Sequence, residues 1–200
     1  MIYGRLLSNY WATDMSDKRP NILWIYIEDQ DPRYRCYGEP LVDTPNIDAL
    51  ADQGVVFERA YSPAPVCSPS RSAVITGSYA IRNGTHVQRS SRFPGEEIYL
   101  PSGTKTVPEL FREAGYFTFN RGKDDYNFTR DRSDLYSVGN NSQDPGANKG
   151  VQAGGGDWSE CPADMPFFAQ IQTNGGKNGY SLGAAADMMR KLGVKNPTLV

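Results

Sequence analysis

One histidine, His86, and three cysteines, Cys36, Cys67 and Cys161, are all that 200 residues contain of the usual transition-metal ligands. A single imidazole excludes a multi-histidine metal centre. Three widely spaced thiols with no Cys-x-x-Cys pair make neither a disulfide framework nor a zinc site. Any metal must then be held mainly by carboxylates, which favours calcium or magnesium. A dominant charge sign is also missing. The 21 basic and 23 acidic side chains leave a net charge of −2, so no general affinity for nucleic acid or anionic membranes is expected. No apolar run reaches the length of a membrane span. Residues 1–20 hold only scattered apolar side chains, so no signal peptide is expected. Met15 reads as an alternative start. The expected location is cytoplasmic, or periplasmic if the N-terminus is incomplete.

What is present is a loop-rich globular composition: 38% hydrophobic residues with 20 Gly and 14 Pro. The run Ile22 to Ile27 is apolar and reads as a buried strand that stops at Glu28-Asp29. Thr44 and Pro45 predict a helix start, with Ile47, Leu50 and Ala51 as its buried stripe and Gly54 as its end. Val55 to Phe57 then reads as a short strand. A Pro-rich turn leads to Cys67. Ser68 as N-cap, Pro69 at the first helical position and Gly77 at the end predict a helix over 69–76. Thr106 with Glu109 makes a capping box ahead of Val107, Leu110, Phe111 and Ala114. Tyr116 to Asn120 reads as a strand running into Arg121-Gly122-Lys123. Residues 137–157 read as a long loop, Phe167 to Gln172 as a strand, and Ser181 to Leu192 as a weak amphipathic helix.

Strands alternating with helices define an α/β class with a largely parallel or mixed sheet flanked by helices. Ligands in such sheets bind beyond the carboxyl ends of strands. Glu28-Asp29, Lys123 and Lys177 all fall just past predicted strand ends, and Cys67 falls at a helix start. That shared placement groups them into one candidate site. A helix N-terminus with Arg71 in its first turn suits an anion. Two adjacent carboxylates at a strand end suit a cation, although a solvated pair satisfies the same pattern. Three N-x-S/T triplets, at Asn83, Asn127 and Asn140, read as chance.

Cys67-Ser68-Pro69-Ser70-Arg71 resembles the maturation signature of the formylglycine-dependent sulfatases, within the alkaline phosphatase superfamily. A chance match to its four fixed residues is on the order of one in a thousand for a chain this long. Arg19-Pro20-Asn21-Ile22-Leu23 with Glu28-Asp29 is similar to the family's first strand, although Glu28 stands where the family more often has Asp. Cys36-Tyr37-Gly38 and Thr44 to Leu50 continue the resemblance. Gly122-Lys123 is similar to the family's Gly-Lys-x-His, with Asp125 in place of the histidine.

The resemblance implies an alkaline-phosphatase-like fold, with residues 1–18 as a tail and 19–200 as the incomplete N-terminal part of a catalytic domain. It implies a sulfate ester substrate, a formylglycine made from Cys67 by a maturation enzyme, and Ca2+, or Mg2+, held by Glu28, Asp29 and the residue at 67. Arg71 would steady the formylglycine and Lys123 would clamp the sulfate. Asp125 could bond the nucleophile or orient Lys123, or be a structural loop residue. His86 and Lys177 read as substrate contacts or as ordinary structural and solvated side chains. Phosphate or phosphonate ester hydrolysis and an inactive sulfatase-like remnant are the alternatives. Aryl sulfate, choline sulfate and sulfated sugars all stay open as substrates.

Overall fold

The computed structural model describes residues 19–28, 30–91, 93, 95–138, 152–153, 156–173 and 191. Its elements in chain order are β1 (Ile22–Ile27), α1 (Pro45–Gln53), α2 (Cys67–Thr76), α3 (Val107–Glu113), β2 (Phe117–Lys123), α4 (Arg132–Leu135), β3 (Gln152–Ala153) and β4 (Phe167–Thr173). The strands form one sheet in the order β1-β4-β2-β3. β2 and β4 run parallel, from Phe117 opposite Phe167 to Arg121 opposite Ile171. β3 joins the far edge antiparallel, with Gly122 opposite Ala153. This is the expected α/β class with a mixed sheet. The chain divides into two compact units, residues 1–24 with 62–171 and residues 25–61 with 172–200.

The core of the first unit forms on both faces of β2 and β4, where successive residues are buried. Phe119, Phe168 and Ala169 are fully buried. Phe168 stacks on Phe111 of α3 with ring centroids 4.5 Å apart, and Trp24 meets its edge at 5.0 Å. Burying each such ring contributes roughly 1.5–3 kcal/mol. Gly156 is required beside this core, because a Cβ there would lie 2.6 Å from the Cβ of Phe119. Thr106 and Glu109 form the expected capping box of α3. Asn21 accepts the amide hydrogen of Phe167 at 3.0 Å, so this residue of the first-strand motif seats the chain beside β4.

Several expectations change. Alternate residues of β1 are open, with Leu23 at 43% and Ile25 at 56% exposure, so the strand is half-buried rather than buried. The β-branched run sets the extended backbone but covers only one face. No residue of α1 is buried, and Leu50 is 67% exposed. Val55 to Phe57 is exposed loop without strand pairing, since a strand needs a partner as well as β propensity. The stretch 137–157 contains β3, paired to the end of β2. Asn83 and Asn127 are buried, with their side-chain amides donated to protein oxygens, in keeping with chance N-x-S/T triplets. The helix expected at 181–192 lies outside the described residues apart from Lys191.

Candidate active site

α2 begins at Cys67, two residues earlier than expected. Val66 is still extended (φ −144°, ψ 152°) and its carbonyl accepts the amide hydrogen of Ser70 at 3.1 Å, closing the first turn. Ser68 is therefore inside the helix and is not its cap. Pro69 follows without cost, because first-turn amides have no partner within the helix. Gly77 ends α2 in the left-handed region at φ 60°.

The buried face of α2 is mostly small and hydroxylic: Ser68, Pro69, Ser72, Ala73 and Ile75. Buried hydroxyls must be bonded, and here the bonds carry the architecture. The Ser72 hydroxyl donates to the Ser68 carbonyl at 2.7 Å and accepts the Asn127 amide hydrogen at 2.7 Å. The Ser68 hydroxyl donates to Gln88 Oε1 at 2.9 Å and accepts the Arg89 amide hydrogen at 2.9 Å. Asn127 Nδ2 donates to the carbonyls of Thr85, at 2.9 Å, and Val87. Three segments distant in sequence are thereby locked together: α2, the 85–89 loop and the loop after β2.

The charged groups sit on this frame. Arg71, one turn into α2, donates Nη1 to the Lys123 carbonyl at 2.9 Å. Lys123 ends β2, and its Nζ lies 3.3 Å from Asp125 Oδ2. Arg89 Nη2 lies 2.8 Å from the other oxygen, Oδ1. Asp125 is 5% exposed. It holds a positive φ of 49°, which Asp tolerates better than most side chains. Its amide donates to Asp124 Oδ1 at 2.6 Å. Asp124 in turn pairs with Arg132, which lies over the Tyr136 ring at 5.0 Å. Burial pulls the Arg132 pKa down and the nearby Tyr136 raises it; a guanidinium starts so high that it stays charged.

Of the expected site residues, the structure brings Cys67, Arg71, Lys123 and Asp125 onto one frame. His86 is exposed on the loop whose neighbouring carbonyls hold Asn127. Glu28 follows the end of β1 and is half-buried. Asp29 and Lys177 lie outside the described residues. Ser68, Ser72, Gln88, Arg89 and Asn127 escaped the sequence reading. Asn127 follows closely on the Gly122-Lys123 pair, and that proximity was a usable signal. Arg89 had none, since its place depends on a backbone bond to Ser68. Among the described residues no group of three or more His, Cys, Asp and Glu side chains gathers as a metal centre.

An α/β sheet with a cysteine opening a helix, and an arginine of that helix bonded to the lysine that ends an interior strand, is an arrangement whose chemistry suits an anion beyond the carboxyl end of the sheet. The sulfatase family model matches residues 20–179, and the chain belongs to the sulfatase family. It is 36% identical over 170 residues to an ulvan-active sulfatase of Formosa agariphila, covering 79% of this chain and 25% of that one. It is 39% identical over 110 residues to human N-acetylgalactosamine-6-sulfatase, covering 52% and 21%. A protein solved in complex with its substrate, D-glucosamine-2-N,6-O-disulfate, shares the fold at a TM-score of 0.61 and 21% identity, covering 87% of this chain and 38% of that one. The alkaline-phosphatase-like architecture expected of such proteins is thus the one found. The chain spans a quarter or less of the length of these two sulfatases.

Proposed function

We propose that this chain carries the nucleophile-bearing part of a sulfate ester hydrolase, with Cys67 converted to formylglycine. The observation that carries the reading is the Arg71–Lys123 hydrogen bond at 2.9 Å. It joins the Cys-x-Pro-Ser-Arg signature to the Gly-Lys signature, between partners 52 positions apart.

The proposed roles are as follows. The hydrated aldehyde at position 67 attacks sulfur, the sulfur–oxygen bond to the alcohol breaks, and the alcohol leaves with a proton. The second hydroxyl then loses its proton as sulfate is eliminated and the aldehyde returns. The first-turn amides of α2 and the positive end of its dipole favour the anionic sulfate. Arg71, fixed by the Lys123 carbonyl, steadies residue 67. Lys123 neutralises charge on the sulfate oxygens. Glu28 offers the hard oxygen donor that suits calcium or magnesium, and with Asp29 it would hold the cation. When bound, the cation supplies charge neutralisation and lowers the pKa of the nucleophile.

The test is peptide mass spectrometry of Cys67 after co-expression with a formylglycine-generating enzyme. The expected result is the mass of an aldehyde in place of the thiol. An intact thiol, under conditions that convert a control sulfatase, overturns the reading and favours a non-catalytic remnant. Sulfated carbohydrate is the substrate class best supported, because the ulvan-active and N-acetylgalactosamine-6-sulfatase relatives act on sugars by name.

A further inference from the structure

We propose that Arg89 is an additional sulfate-contacting cation of this site and that Asp125 is the positioning residue that holds it. The proposal rests on the sulfatase reading of Cys67 and Lys123 and adds a residue to it. Arg89 is placed twice over. Its amide is bonded to the hydroxyl of Ser68, the residue next to Cys67, at 2.9 Å. Its guanidinium is held by Asp125 Oδ1 at 2.8 Å. The same carboxylate takes Lys123 Nζ on its other oxygen at 3.3 Å, so one buried anion sets the separation of two cations. The side chain of Asp125 is 7% exposed, whereas those of Arg89 and Lys123 are 21% and 24% exposed. The anchor is thus inside, while both cations keep a partly open face. A guanidinium carries five N–H donors in a rigid fork, and the ion pair aims that fork through one nitrogen.

The left-handed backbone at Asp125 makes this an organised arrangement. With φ at 49°, the chain turns just after β2, and the Asp125 amide is secured by Asp124 Oδ1 at 2.6 Å. The loop is closed further along by the Asn127 bonds to Ser72 and Thr85. Asp125 stands where the related signature carries a histidine, and in this chain its carboxylate pairs with two cations.

The experiment is calorimetric titration of the full chain with sodium sulfate, against sodium chloride at matched ionic strength. Cys67 is left as the thiol, so the result is independent of aldehyde formation. Arg89→Gln is expected to weaken sulfate binding about tenfold, as loss of a hydrogen bond to a charged group does, and Arg89→Lys to recover part of it. Asp125→Asn separates positioning from simple charge. Deleting a carboxylate beside an anion site tightens anion binding by Coulomb's law alone, whereas loss of positioning weakens it. Weaker binding by Asp125→Asn, titrated at a temperature where circular dichroism shows the variant folded, is the expected result. Arg82→Gln, beyond the other end of α2, is expected to leave affinity within about twofold, because exposed charges are largely screened. Undiminished affinity in Arg89→Gln, tighter binding in Asp125→Asn, or no sulfate binding by the parent chain overturns the proposal. Each can occur while Cys67 is still converted, so failure here is distinct from failure of the sulfatase reading. If Arg89→Gln does not fold, Arg89→Lys decides: weaker sulfate binding at an unchanged melting temperature supports the proposal, and unchanged affinity overturns it.

Discussion

α1 and α2 carry proline at or near their starts and glycine just past their ends, yet they are held in opposite ways. α1 has the clearer apolar stripe, but none of its residues is buried. Its ties are polar and short-range: Asp48 accepts the Cys36 amide hydrogen at 3.0 Å, and Thr44 accepts that of Arg35 at 3.2 Å. α2 has a weak stripe and five buried residues, two of them serines. Its hydroxyls reach residues 20 to 55 positions away. The contrast teaches that periodicity shows which face of a helix could be buried, while hydrogen-bonded hydroxyls show which helix is locked in place.

The sharpest way to break that contrast is Ser72→Ala. It removes a buried hydroxyl that serves two partners and leaves the Asn127 amide without its acceptor, so a loss of about 1–3 kcal/mol is expected in urea unfolding. A change below about 0.5 kcal/mol would show that the buried serines only fill space. An intermediate case is Glu109→Gln in α3. Burial raises the Glu109 pKa, but the Thr106 amide and hydroxyl and the Arg130 guanidinium outweigh it, and the net shift is downward. A carboxylate with a depressed folded pKa contributes stability above its ordinary value of 4.5 that is lost as pH falls through the depressed value. The variant is expected to be less stable than the parent at neutral pH, by about 1 kcal/mol or less. Thermal unfolding as a function of pH should show the gap closing below the carboxylate range, and a gap independent of pH would rule this account out. Smallest of all is Leu50→Ala on α1. Its exposed side chain predicts a change within about 0.5 kcal/mol, and a loss above about 2 kcal/mol would mean that α1 buries its stripe after all.

The fold class, the capping box of α3 and the strands β2 and β4 were legible because each rests on local chemistry: a reciprocal Thr–Glu pair, or a run of aromatic and β-branched residues. Cys67, Arg71 and Lys123 were legible because their spacing is fixed by one helix turn and one strand end. The frame beneath them was not. Ser68 looks like an N-cap until the extended Val66 takes that place and frees its hydroxyl for Gln88 and Arg89. Asp125 looks like a loop residue until two cations converge on it. Partners separated by 36 residues, as Asp125 and Arg89 are, leave no trace in local periodicity. β3 escaped for a related reason, since its two residues are a strand only through their pairing with Gly122 and Lys123.

The bonds from α2 to Lys123 and Asn127 enclose a span of the chain that includes the exposed Ser102–Gly103 turn, where Gly103 has a φ of 80°. Lengthening a flexible loop is thermodynamically mild, at about 0.6 kcal/mol for each doubling. The clamp on the helix is made by residues on either side of that turn and by none within it. New sequence could therefore enter there at small cost, which makes this turn the natural place to lengthen the chain or attach a label while α2 stays bonded to Lys123 and Asn127.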